Sequence, residues 1–325
     1  MTDLFRIPVN IQNNNLKISY QDQIILFGSC FSENIGQKLK SYKFNVSINP
    51  FGILYNPKSI YKNLIGLIEN KKQKEGDLIE NNGMYYSWDY HGFYSNESRS
   101  ELLKNLNTQF LSARKSLKKT KFLILTFGTS WIYKHIESGN IVANCHKVPS
   151  DKFDRYRLST KEIIKDYEYL INRLKDFNPE INIIFTVSPI RHLKDGAHEN
   201  QLSKSSLLLA IDSLKSTFDN CYYFPSYEIM MDELRDYRFY KNDMIHPSDL
   251  AIDYIWKKFR LNFISNHCYD IMNQVKKLRD AVNHKPLNVS SKKHNIFRNK
   301  FFEFSKNLSK QNPFLDLKEE IAYFK

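Results

Sequence analysis

Gln23-Ile-Ile-Leu-Phe-Gly28-Ser29-Cys30-Phe31-Ser32 is the stretch from which the fold is read. Residues 24–27 are an unbroken apolar run closed by a glycine. A run this short reads as a strand buried on both faces. From Ser32 the pattern changes to helical spacing, with Ile35 and Leu39 one turn apart. Gly28-Ser29-Cys30-Phe31 is therefore a strand-to-helix turn. In an open parallel sheet such a turn holds side chains at the carboxyl edge.

The same alternation recurs along the chain. Residues 121–126, 181–187 and 221–224 read as further buried strands. Helical spacing follows or precedes them over residues 60–69, 102–118, 160–177, 203–217 and 251–263, with Ser159 or Thr160 as the cap of the third. A hairpin is expected around residues 138–140, and residues 76–96 read as an irregular excursion. Strands alternating with helices predict an α/β fold of three layers, a mostly parallel sheet flanked by helices. The α/β domain is expected over residues 1–267, with a basic helical extension over residues 268–325.

The chain of 325 residues carries 48 Lys and Arg against 35 Asp and Glu, a net charge of +13. From Cys268 onward there are 12 basic and 6 acidic residues. No zinc-finger spacing, aromatic RNA-binding motif or Arg-rich patch accompanies the charge, so solvated helix faces are expected rather than a nucleic-acid surface. There is no secretory leader pattern and no apolar run long enough to cross a bilayer. The four cysteines lack framework or metal spacing and read as reduced thiols, which makes the cytoplasm the expected location.

Polar, reactive residues follow each buried strand: Ser29 and Cys30, Thr129 and Ser130, Ser188 with Arg191 and His192, then Asp243 and His246. Residues that follow successive parallel strands converge on one edge, which predicts a single site. The blocks Phe27-Gly-Ser-Cys-Phe-Ser32, Asn49-Pro-Phe-Gly52, Thr126-Phe-Gly-Thr129, Asn144-Cys-His-Lys147, Ser188-Pro-Ile-Arg-His192 and Asp243-Met-Ile-His-Pro247 resemble, in this order, the GSCFA-domain family. That family is named for its first motif and is grouped with the SGNH (GDSL-like) hydrolases. The resemblance spans residues 22–263 or so and implies an SGNH-hydrolase-like fold.

The resemblance also implies roles. Asp243-Met-Ile-His246 matches the late Asp-x-x-His of SGNH enzymes, in which the carboxylate orients the ring and the histidine is the base. Laid against Phe-Gly-Asp-Ser-Leu, the first block places Cys30 at the nucleophilic serine and Ser29 at the aspartate. Cys30 is therefore ranked above Ser29 as nucleophile, its thiol expected to be acidified by a helix N-terminus and a histidine. Gly52 is the expected oxyanion glycine. Ser130 stands where these enzymes place an oxyanion asparagine, so either another group such as Asn144 or His146 supplies that donor or the hydrolase activity is weak. Arg191 and His192 read equally as a clamp for a carboxylate or phosphate and as a surface ion pair. His91 is the weakest candidate.

The leading function is acyl hydrolysis or transfer through a covalent acyl-enzyme, with a small-molecule or carbohydrate ester as substrate. No cofactor or metal is required; a transferase would need a donor such as acyl-CoA. The runner-up is a catalytically idle fold that binds a glycan or a protein partner.

Overall fold

The computed structural model describes residues 7–12 and 15–325. Among these, the strands in chain order are β1 (Gln23–Gly28), β2 (Val46–Ile48), β3 (Leu78–Asn81), β4 (Met84–Ser87) and β5 (Thr120–Phe127). They continue with β6 (Trp131–His135), β7 (Ile141–Val142), β8 (Phe153–Arg157), β9 (Asn182–Val187) and β10 (Cys221–Tyr223). The helices are α1 (Cys30–Ser41), α2 (Pro57–Glu69), α3 (Arg99–Leu117), α4 (Thr160–Phe177) and α5 (Gly196–Thr217). After them come the short α6 (Ser226–Glu228), then α7 (Asp249–Phe263), α8 (Tyr269–Val282), α9 (Lys292–Gln311) and α10 (Lys318–Phe324).

Five strands form one parallel sheet in the order β2-β1-β5-β9-β10. Side chains alternate between its faces because successive Cβ atoms point to opposite sides. Ile25, Phe27, Leu123, Leu125, Phe127, Ile183 and Phe185 enter the hydrophobic cluster shared with α2, α3, α4 and α5. Ile24, Leu26, Phe122, Ile124 and Ile184 enter the cluster shared with α1, α7 and the C-terminal helices. The fold is thus the expected three-layer α/β arrangement. Each of these fully buried aliphatic or aromatic side chains contributes about 1.5–3 kcal/mol.

The C-terminal helices seat Met272, Val275, Leu278, Phe301, Leu308 and Phe324 in that second cluster, continuous with Phe259 and Phe263 of α7. Most of their lysines are exposed while their apolar stripe completes the layer, and Arg279 donates to Ser41 Oγ at 2.8 Å. Among the described residues, no helix is long and apolar enough to cross a membrane.

Three local findings differ from the sequence expectation. Residues 76–96 contain the antiparallel hairpin β3–β4. The helix after β1 starts at Cys30 rather than Ser32, because the Ser29 side chain accepts the Phe31 N–H and caps it. Helix α5 starts at Gly196, two turns earlier than its apolar spacing indicates.

The order of the sheet reverses direction at β1 and β5, since the chain steps outward to β2 and then back past β1. Ligands of open α/β sheets bind outside the carboxyl ends of strands at such a switch point. Gly28 makes the switch point tight. Its φ is +143°, and a Cβ there would lie 2.2 Å from the Thr126 carbonyl oxygen. Gly28→Ala is expected to destabilise the fold by about 3 kcal/mol through combined strain and overlap, read as a lower urea midpoint with unchanged slope.

Candidate active site

The carboxyl ends of β1, β5 and β9 open into a cavity of about 440 Å³. Its floor is made by Ser29, Cys30, Gly128, Thr129 and Ser188. Strand β6 and the segment after β7 wall one side with Trp131, Tyr133, Asn144 and Cys145, and β8 adds Arg155. His246 and Ile245 line it from the loop before α7.

At the turn after β1, Ser29 and Cys30 have different fates. Ser29 is only 2% exposed and its Oγ accepts the Phe31 N–H at 3.3 Å. Cys30 is half-buried, a free thiol at the first position of α1. The N–H groups of Cys30 and Phe31 and the nearby Lys204 favour its thiolate, yet burial outweighs them and pushes the thiol above its ordinary value. The expected acidification is therefore not found: the desolvation of a strand-end pocket dominates.

Asp243 and His246 form a self-contained unit. Asp243 Oδ1 accepts the N–H groups of Ile245 and His246, each at 2.9 Å, and Oδ2 lies 2.6 Å from His246 Nδ1. The backbone N–H groups of His246 and Ile245, then the ring itself, hold the carboxyl down at about 2. It is ionised throughout the neutral range. With Nδ1 bound to an ionised carboxylate, the proton sits on Nδ1 and Nε2 is left as the basic atom. Met244, at φ +58°, makes the turn that folds the ring back onto its own carboxylate.

A family model of the GSCFA family matches residues 23–259, and one described as the C-terminal domain of GSCFA domain proteins matches residues 275–325. The chain belongs to the GSCFA family. Among solved structures, a carbohydrate esterase family 3 from Talaromyces cellulolyticus is similar at 9% identity and a TM-score of 0.35, over 79% of this chain and 99% of that one. An acetyl xylan esterase from the rumen bacterium Butyrivibrio proteoclasticus is similar at 12% identity and a TM-score of 0.38, over 82% and 66%. A family two carbohydrate esterase from Clostridium thermocellum follows at 11% and 0.34, over 75% and 65%. No match was found among curated proteins.

The motif blocks of this GSCFA chain do not all reach the cavity. Asn144, Arg191 and His192 do. Gly52 lies in a neighbouring cleft, and its N–H is taken by the Asn49 carbonyl at 2.7 Å. Its φ of +77° and a His91 Cβ only 2.3 Å from where its own Cβ would be explain the glycine by backbone shape. Ser130 is fully buried, its N–H and Oγ both bound to Ser203 Oγ, at 2.8 and 3.1 Å. His146 is also buried. Its Nε2 lies 2.8 Å from the Ser87 carbonyl and its ring stacks on Tyr86, and burial lowers its basicity. Gly52, Ser130 and His146 thus do not line the cavity.

Two groups that the motifs leave out stand at the site. Asn56 caps α2 through Oδ1, which accepts the Ser59 N–H at 2.8 Å. Its Nδ2 has no protein acceptor among the described residues, and the residue lines the cavity beside Tyr55. The Tyr55 carbonyl takes the N–H groups of Gly128 and Thr129, and Leu54 N–H donates to the Gly28 carbonyl. Asn56 is thereby fixed between the ends of β1 and β5. The second group is Lys204 of α5, fully buried, whose Nζ donates to the carbonyls of Gly128 and Ser188, both at 2.7 Å. Burial lowers its pKa to about 7, with Cys30 pulling the other way. Asn200 and Ser203 on the same helix hold the His192 N–H and the Thr129–Ser130 turn. One helix end thus anchors the loops that follow β5 and β9.

Proposed function

We propose that this protein is an acyl esterase or acyltransferase that works through a thioester on Cys30. The observation that carries the reading is the pairing, in one cavity at the sheet's switch point, of an accessible thiol with a histidine whose other nitrogen is held by an ionised carboxylate. His246 Nε2 takes the thiol proton as Sγ attacks the ester carbonyl carbon. The tetrahedral oxyanion collapses by breaking the carbon–oxygen bond, and the leaving alcohol takes the proton from His246. Water, or an acceptor hydroxyl, then attacks the thioester by the same route in reverse, releasing the acid or the transferred ester and restoring the thiol. Because burial keeps Cys30 protonated, the proton moves during attack rather than before it.

The oxyanion would meet the Cys30 N–H, which as the first of α1 has no helical partner, and the Nδ2 of Asn56. Asn56→Asp keeps the helix cap and removes the donor. It is expected to lower the rate of 4-nitrophenyl acetate hydrolysis by about a hundredfold at unchanged stability. An unchanged rate would exclude Asn56 from this role, and absence of hydrolysis by the wild-type protein would count against the whole reading.

Aromatic faces at Tyr55, Trp131 and Tyr133 suit a ring-shaped substrate such as an acylated sugar. The unpaired thiols favour a reducing compartment such as the cytoplasm. The raised thiol and the buried Ser130 favour a second reading, a binding fold without turnover. That reading predicts that substrates bind without ever labelling Cys30.

A further inference from the structure

The cavity is built for a negative charge. Its lining includes two arginines and two histidines, and no aspartate or glutamate. The two arginines are not equivalent. Arg155 is held by Asp195 through both guanidinium nitrogens, the second at 2.6 Å, and lies 4.4 Å over the ring of Trp131. Its charge is already answered. Arg191 has no acidic partner among the described residues; its guanidinium rests 5.4 Å over the Tyr240 ring. Arg191 Nε is buried without a hydrogen-bond partner while the guanidinium also bonds the Tyr240 side chain, and His192 Nδ1 lies 3.9 Å from Asp195 Oδ2. Buried donors in folded proteins are nearly always bonded, so the unpaired Nε of an arginine that lines the cavity and lacks an acidic partner marks a place where a ligand supplies the acceptor.

We infer that the substrate carries an anionic group, carboxylate or phosphate, bound by Arg191 with His192 beside it. This rests on the acyl-transfer reading for the position of the reacting carbonyl. Cys30 follows β1 and Arg191 follows β9, two strand spacings away in the sheet order β1-β5-β9. The backbones that carry the nucleophile and the anion-binding arginine are therefore about 10 Å apart. A planar guanidinium suits either oxyanion through paired hydrogen bonds, and an aromatic face beneath it keeps it oriented.

The test is equilibrium binding of a stable amide, 4-acetamidobenzoate, against its methyl ester, which removes only the charge. Wild-type protein should bind the carboxylate at least about tenfold more tightly, and Arg191→Gln should abolish the preference. Arg157→Gln, an arginine of β8 paired with Glu199 outside the cavity, should retain it. 4-Acetamidophenyl phosphate, measured alongside, distinguishes a phosphate site from a carboxylate site by which binds better. Equal binding of acid and ester, a preference that survives in Arg191→Gln, or no binding of any probe would overturn the inference. Labelling of Cys30 by a neutral acetyl ester is a separate readout. If it occurs without anion preference, the substrate class is wrong and the acyl chemistry stands; anion preference without labelling would leave the binding site and remove the chemistry.

Discussion

Cys30→Ala is expected to abolish ester turnover, a fall of about ten-thousandfold or more, while leaving the urea midpoint nearly unchanged. A nucleophile that works as a unit with its base is not replaced by either partner alone, so the residual rate should match that of a triad mutant. Removing the sulfur from a half-buried position costs little packing. The contrasting variant is Ser29→Ala. Ser29 lines the cavity floor, but its hydroxyl is engaged as the cap of α1 and the residue is almost fully buried. Its loss is expected to cost about 1 kcal/mol of stability and to spare the covalent step. Turnover that survives in Cys30→Ala but is lost in Ser29→Ala would move the nucleophile one residue back.

Lys204→Met is the second large effect, and it falls on stability first. Gly128 and Ser188 carbonyls at the ends of two central strands would lose the Lys204 donor, at about 1–3 kcal/mol each. The pH dependence carries a sign that packing alone does not. The pKa of Lys204 is lowered to about 7 in the folded protein, against an ordinary lysine near 10.4 when unfolded. Between those values the unfolded chain binds the extra proton, so the contribution of Lys204 to stability increases with pH. It is fully present only above the unfolded value and is lost as pH falls towards 7. The stability gap between wild type and Lys204→Met should therefore be smallest near pH 6 and widen towards pH 8.5 in urea titrations. A gap that is flat, or that narrows with pH, would mean that the lysine is charged throughout.

What could be read from the sequence, and what could not, follows from the range of the forces involved. The run 23–28 is legible because a parallel strand covered on both sides must be apolar at every position, whichever face each residue meets. Asp243 and His246 are legible because their bond closes within three residues of chain. By contrast, β2 has only three residues, all half-buried, and its pairing with β1 supplies what its own composition does not. Lys204 sits in Gln201-Leu-Ser-Lys-Ser-Ser206, the polar start of the helix expected over residues 203–217, where nothing marks a lysine as buried. Only the docking of α5 against the ends of β5 and β9 turns that segment into the anchor of the site. Asn56 reads as one more loop residue before a proline, and its role as helix cap conceals the free amide on its other side. Gly52 and Ser130 show the opposite error. Motif position points to oxyanion donors, while the backbone turns them away from the cavity and into neighbouring hydrogen bonds.

The central claim, an acyl group carried on Cys30 under the control of His246, is tested most directly by mass. Wild-type protein and His246→Ala would be mixed rapidly with 4-nitrophenyl acetate, quenched in acid, and mapped by intact and peptide mass. One acetyl on the peptide containing Cys30, formed at least a thousandfold more slowly in His246→Ala, is the predicted result. An acetyl on Ser29, no adduct at all, or labelling of Cys30 at the same rate in both proteins would contradict it.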